Sequence, residues 1–285
     1  MRRAASRLAD TVRRVTVSTA PADALRAEVS ELSWYHTLEL APGLVTPGWF
    51  DTRPVVSSLP IPTSLAGKRC LDVGTYDGFW AFEMERRGAA EVVAIDVLNP
   101  PDWDWPQNAS AHSIETLGQQ KAGGRGFEVA KRCLESSVTR HALSVYDVDP
   151  ESLGTFDFVY IGSLLLHLRD PVRALERLRA VCTGELLVVD SIDLLLTLVF
   201  PGRPTATLDV RGRPWWWTAN VAGIARMAEA ARFRVVSSSR VFMPPGAGQP
   251  LPPLRPGLVM SAEGREAAMK RLRGDPHVVL SAVPA

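Results

Sequence analysis

The apolar positions of the chain gather into short runs that end at a glycine or an acid, with amphipathic stretches between them. Cys70, Leu71 and Val73 form one such run, which stops at Gly74. Gly74 to Gly78 make a five-residue turn, a helical pattern begins at Phe79, and Gly88 stands where a left-handed helix cap is expected. A second run, Val92-Val93-Ala94-Ile95, ends in Asp96. Later runs predict strands over 142–146, 156–163, 186–190, 233–239 and 277–283. Helical patterns lie between them: 127–139, then 171–182 with Asp170 as N-cap and Pro171 at the first position, then one that Asn220 caps and that runs to Ala231. Strands alternating with helices predict an α/β fold, a doubly wound and mostly parallel sheet.

The ends of the chain break this rhythm. Residues 1–17 read as a basic amphipathic helix, and Pro21 opens a second helix towards Leu32. From 33 to 60, aromatic residues are interleaved with Pro and Gly, which predicts an ordered, non-repetitive strap over the mouth of a site. The chain therefore divides into an N-terminal extension and strap, 1–60, and a main domain, 61–285. Two stretches, 194–219 and 240–275, are longer than ordinary connections and read as insertions on the ligand side. The polar, Gly-rich segment 119–126 predicts a mobile loop.

Composition narrows the partners. A hydrophobic content of 46% is enough for a packed globular domain, and the net charge of +1 gives no strong basic field for nucleic acid. The charge is uneven: five arginines and one acid occupy residues 1–14, and twelve Lys or Arg against four acids occupy 201–273. Cys70, Cys133 and Cys182 are far apart and odd in number, so neither a disulfide framework nor a metal site is expected, and a reduced, cytoplasmic protein is. The N-terminal arginines precede no apolar core of a secretory signal. The most apolar stretch, 186–200, is interrupted by Asp190 and Asp193 and is too short to span a bilayer, so no membrane partner is expected.

The first strand, turn and helix have the chemistry of a nucleoside site. Glycines let a backbone approach a ligand, and an acid ending the second strand can accept both hydroxyls of a ribose. Asp96 lies 18 residues beyond Gly78, close to the ~20 of dinucleotide sites. Tyr76, however, fills the position where G-x-G-x-x-G needs its second glycine against a pyrophosphate. A ligand with a ribose and no phosphate suits the turn better.

Several motifs together resemble the class I S-adenosylmethionine-dependent methyltransferases. They are Trp34-Tyr35-His36, Pro47-Gly48-x-Phe50-Asp51, Leu71-Asp72-Val73-Gly74-Thr75-Tyr76-Asp77-Gly78-Phe79-Trp80 and Leu166-His167-Leu168-Arg169-Asp170-Pro171. The chain is similar to the branch often labelled tRNA wobble-uridine methyltransferases. The resemblance implies a Rossmann-like, seven-stranded sheet with its last strand antiparallel, and S-adenosylmethionine as cofactor. It places Asp72, Gly74, Thr75, Tyr76 and Gly78 around the amino-acid half of that cofactor and Asp96 with Val97 at the ribose. Tyr146 and Asp147 fall at the adenine, and Gly162 and Ser163 at the end of the fourth strand. A tryptophan of 99–106 is expected to flank the adenine. Carboxymethyl-transferring relatives need a basic residue for the extra carboxylate of their cofactor, and the sequence offers no obvious one.

His167, just past the fourth strand, is the first candidate general base, and His36 in the strap is the second; His112, His141 and His277 receive no role. Trp34, Tyr35, Trp215, Trp216, Trp217 and Asn220 are expected to line the acceptor pocket, since flat aromatic walls suit a planar ring. The expected reaction is methyl transfer to O or N of a small aromatic or cyclic metabolite. A tRNA wobble uridine is the alternative acceptor, and a non-catalytic cofactor-binding scaffold is the third reading. Oligomeric state is not legible in the sequence.

Overall fold

The computed structural model describes residues 20–209, 214–251, 253, 257 and 261–285. The basic helix expected over 1–17 lies outside the described residues. The main sheet has seven strands: β1 (Arg69–Val73), β2 (Glu91–Asp96), β3 (Thr139–Ala142), β4 (Phe156–Gly162), β5 (Cys182–Ser191), β6 (Phe233–Met243) and β7 (Asp275–Pro284). Their order across the sheet is β6-β7-β5-β4-β1-β2-β3. The five strands from β5 to β3 are parallel, while β7 runs antiparallel to both β5 and β6. The expected Rossmann-like fold with a reversed last strand is what the chain adopts.

The sheet is buried on both faces, which is why its central strands are apolar throughout rather than alternating. One face packs Leu71, Val159 and Val188 against the Pro171–Val181 and Val221–Ala230 helices. The other packs Cys70, Tyr160 and Leu187 against the Phe79–Arg86 and Arg125–Cys133 helices and the strap. Leu175, Leu178 and Val181, from the helix expected over 171–182, are fully buried.

Two expectations are corrected. Segment 119–126 is not a loop: the Ala111–Lys121 helix runs into it, and left-handed φ values at Ala122, Gly123 and Gly124 turn the chain into the Arg125–Cys133 helix. The glycines there make a kink between helices, and Lys121 is buried. The third strand ends at Ala142, not Tyr146; residues Val145–Asp147 form a 3-10 turn in which the Ser144 hydroxyl accepts from the Tyr146 N–H.

The strap is fixed to the opposite end of the chain. Its strand Trp34–His36 pairs in parallel with Gly48–Phe50. Beyond that pair, Phe50 bridges to Pro245, the Asp51 N–H donates to Pro244 O, and the Gly246 N–H donates to Trp49 O. The connection after β6 and the N-terminal strap thus close one mouth together.

Candidate active site

The carboxyl ends of β1, β4 and β5 meet the start of β7 at one edge of the sheet, the edge where open α/β sheets take ligands. At β1 the chain turns sharply. Gly74 has φ +76° and Gly78 φ +90°, and a Cβ at Gly78 would lie 2.4 Å from the Phe82 ring. Tyr76 is itself left-handed, with φ 50°, and its N–H donates to Asp96 Oδ2 at 2.8 Å. Asp72 braces the turn from below: its Oδ2 accepts from Thr75 Oγ1 at 2.6 Å and from the Ala81 N–H at 3.1 Å. Burial pushes the Asp72 carboxyl up to about 7.

Asp77 is buried and ties the turn to the strap. Its Oδ2 accepts from the Tyr35 and His36 N–H groups, and its Oδ1 contacts His36 Nδ1 at 2.6 Å. The His36 ring lies stacked on Phe79 at 5.2 Å and edge-on to Trp80. Asp77 was not among the expected site residues, although its position between the two glycines marks it as part of the turn.

A small cavity of about 30 Å³ opens between these elements, with room for little more than a water molecule. The strap supplies Tyr35, His36, Phe50 and Thr52; β1 and its turn supply Asp72, Val73, Gly74 and Trp80; β4 and its end supply Tyr160, Gly162 and Ser163. Val189, Met243 and His277 complete the lining. Thr52 Oγ1 is buried there with no partner among the described residues. Two histidines therefore face the cavity, His36 and His277.

A second group of contacts lies beyond Tyr76. Asp96 Oδ2 also accepts from Lys121 Nζ, whose ammonium sits 4.3 Å over the Tyr76 ring and 5.5 Å over the Trp103 ring. Trp103 stacks with Trp105 at 5.8 Å and donates from Nε1 to Val97 O. The Tyr146 hydroxyl donates to Asp104 Oδ2 and accepts from the Asp170 N–H, joining three loops. Asp147 comes from the exposed turn after β3 rather than from the strand end. A turn closed by Gly74, a buried acid at β2 and an orphaned hydroxyl in the cavity fit a nucleoside carrying a polar amino-acid end.

Other expected site residues stand elsewhere. His167 Nδ1 donates to Pro214 O at 2.5 Å, burial lowers its pKa to about 4, and it is not among the cavity lining. Trp34 donates from Nε1 to Val29 O and is buried in the core beneath the strap. Trp216 and Trp217 donate to Asp104 O and Arg169 O, and Trp215 lies 5.9 Å from Lys270 Nζ; none lines the cavity. Asn220 is fully buried, with its amide oxygen accepting from Gly223 and Thr205 and its amide nitrogen donating to Phe200 O and Arg203 O. These residues hold the insertion in place, because an irregular segment must satisfy its own backbone groups.

The profile of a family described as "Methyltransferase domain" matches residues 52–237. The chain belongs to that methyltransferase family. The methyltransferase expected from the motifs agrees with this family. The methyltransferase is 29% identical over 178 residues to a tRNA U34 carboxymethyltransferase of Dichelobacter nodosus, covering 60% of this chain and 47% of that one. A relative of the same name from Pseudomonas aeruginosa is 30% identical over 176 residues, covering 59% and 46%. The match thus spans about half the length of these curated relatives. Among solved structures, a putative methyltransferase in complex with the Trm112 activator of Haloferax volcanii shares the fold, with TM-score 0.52, 13% identity and coverage of 83% of this chain and 90% of that one. Among the described residues no helix is long and apolar enough to cross a membrane, and no acid, Cys or His cluster could hold a metal.

Proposed function

We propose that this methyltransferase transfers an unsubstituted methyl group to an oxygen or nitrogen of a small, planar acceptor. The observation that carries this is the cavity lining, which among the described residues contains no Lys or Arg while Asp72 contributes a carboxylate. A carboxymethyl donor would bring a second carboxylate into that space. Burying an unpaired carboxylate costs several kcal/mol, and an unsubstituted methyl avoids this. Tyr35, Phe50, Trp80 and Tyr160 supply polarisable faces for a cation.

Bound S-adenosylmethionine supplies a methyl group on a sulfonium, which an acceptor lone pair displaces in line. The chain's residues hold and shield. Asp72 offers a buried carboxylate to the amino-acid end, and Asp96 offers its carboxylate to the ribose once Lys121 shares it. His36, held by Asp77 over Phe79, stands on the amino-acid side of the cavity. The strap excludes water, and holding the reactants in line supplies much of the acceleration.

The names of the curated relatives favour a second reading, transfer to a wobble uridine of tRNA. The net charge of +1 speaks against an RNA acceptor. Radiolabelled methyl donor, incubated separately with a metabolite extract and with total tRNA, distinguishes the two. Label in small molecules is the expected result; label in tRNA alone overturns the proposal.

A further inference from the structure

We propose that His277 is the general base of this methyl transfer, its Nε2 taking the proton of the acceptor. The inference rests on the reading that the acceptor is an O–H or N–H group. Because β7 runs antiparallel to β5, with His277 opposite Ser191, the first residues of β7 lie at the carboxyl edge of the parallel strands. A strand beginning is ordinarily remote from that edge; the reversal brings His277 to it. The ring is 1% exposed and lines the cavity.

The hydrogen bonds fix which nitrogen is free. His277 Nδ1 lies 2.9 Å from Asp275 O, and a carbonyl only accepts, so Nδ1 carries the proton. Nε2 keeps its lone pair and accepts from Ser163 Oγ at 3.0 Å. Ser163 is held in a left-handed conformation, φ 48°, at the end of β4, with its N–H donating to Val189 O. From the strap, Phe50 sets its ring edge-on to the imidazole at 6.1 Å. From the Ala262–Arg273 helix, Lys270 pairs with the Asp275 carboxylate at 3.1 Å. Burial is the main cause holding the His277 pKa below its ordinary value, and Lys270 acts in the same direction against Asp275. The imidazole is thus neutral at neutral pH.

The other two histidines near the site are committed differently. His167 is bonded to Pro214 outside the cavity, and His36 is bonded to the Asp77 carboxylate and stacked on the cofactor turn.

In the step, the acceptor lone pair forms the bond to the methyl carbon. The carbon–sulfur bond breaks and its electron pair stays on sulfur, cancelling the sulfonium charge. The acceptor proton passes to Nε2, which exchanges its bond from Ser163 for one from the acceptor. One positive charge is present before and after, on sulfur and then on the imidazolium, which returns its proton to solvent.

Two measurements on the full chain test this. Ring ¹⁵N shifts of His277, assigned by difference with H277N and H277Q and read with S-adenosylhomocysteine bound, are expected to show the neutral tautomer with the proton on Nδ1. A proton on Nε2 overturns the proposal. In label transfer to the metabolite extract, H277N and H277Q are expected to lose at least ~10²-fold in rate at neutral pH and to recover steadily as pH rises. Their affinity for S-adenosylhomocysteine should stay within threefold of wild type. Wild-type rates in both variants, or a loss of rate matched by the loss of affinity, overturn the proposal. Wild-type protein that labels nothing fails the proposed function instead, and the tautomer still decides the role of His277.

Discussion

Asp77 grips His36 at two points: one carboxylate oxygen accepts from its backbone N–H at 2.7 Å, and the other meets its ring Nδ1 at 2.6 Å. The same carboxylate accepts from the Tyr35 N–H at 2.9 Å. A single buried side chain in the Gly74–Gly78 turn therefore positions the strap, 41 residues earlier in sequence.

Replacing that carboxylate leaves a buried and a partly buried N–H group and a buried imidazole without a partner. D77A is expected to lower the unfolding free energy by roughly 3–5 kcal/mol, and D77N by less because its amide oxygen still accepts. Urea unfolding measures both. A loss below about 1 kcal/mol in D77A would show that the strap is held by other contacts.

Asp72 links cofactor binding to pH. Burial raises its carboxyl to about 7, so it is protonated over much of the acidic range. A cationic amino group at this position favours the carboxylate, so binding releases a proton below that pH. Affinity for S-adenosylhomocysteine should strengthen as pH rises to about 7, by up to about tenfold per unit, and then level off. Calorimetry in buffers of different ionisation enthalpy reads the released proton. D72N should bind more weakly and show no such slope.

Asp190 makes the corresponding prediction for stability. Its Oδ2 accepts from the Leu164 and Leu165 N–H groups, its Oδ1 has no partner among the described residues, and burial raises its carboxyl from 3.8 to about 7. Between those values the folded state holds a proton that the unfolded state has lost, so this group's contribution to stability falls as pH rises. D190N removes the titration and keeps an oxygen for the two N–H donors. Its stability relative to wild type should rise across that window by at most about 1.4 kcal/mol per pH unit. Thermal melts from acid to neutral pH follow it; a flat difference would refute the placement.

Asp96 and Lys121 should act as a unit. D96A is expected to raise the dissociation constant of S-adenosylhomocysteine at least tenfold, through loss of charged hydrogen bonds of roughly 1.5–3 kcal/mol. It also strands a buried ammonium, so the D96A/K121M double variant should be more stable than the two single losses add to, by about 1 kcal/mol or more. Strict additivity in a double-mutant cycle would separate the two residues.

What was legible in the sequence follows from which forces are local. The Gly74–Gly78 turn, the Asp96 strand end and the Asp170-Pro171 helix start all announce themselves through backbone chemistry within a few residues. Lys121 was hidden because glycines after it suggest a loop, while its burial depends on Asp96, Tyr76 and Trp103 arriving from elsewhere. The tryptophans of 215–217 read as a ligand wall, yet the indole N–H groups of Trp216 and Trp217 secure the insertion's own backbone neighbours. His277 received no role from the sequence, although the reversed last strand was expected. That reversal alone puts the start of the strand at the carboxyl edge of the parallel strands.

The seal between the strap and the segment after β6 has a practical corollary for fragments. The family match begins at residue 52, downstream of Tyr35, His36 and Phe50. A protein trimmed to that boundary would keep the glycine turn and Asp96 but lose three of the residues that line the cavity. Such a fragment should still hold the nucleoside while leaving the methyl end open to solvent, so cofactor retention alone is a poor assay for an intact catalyst.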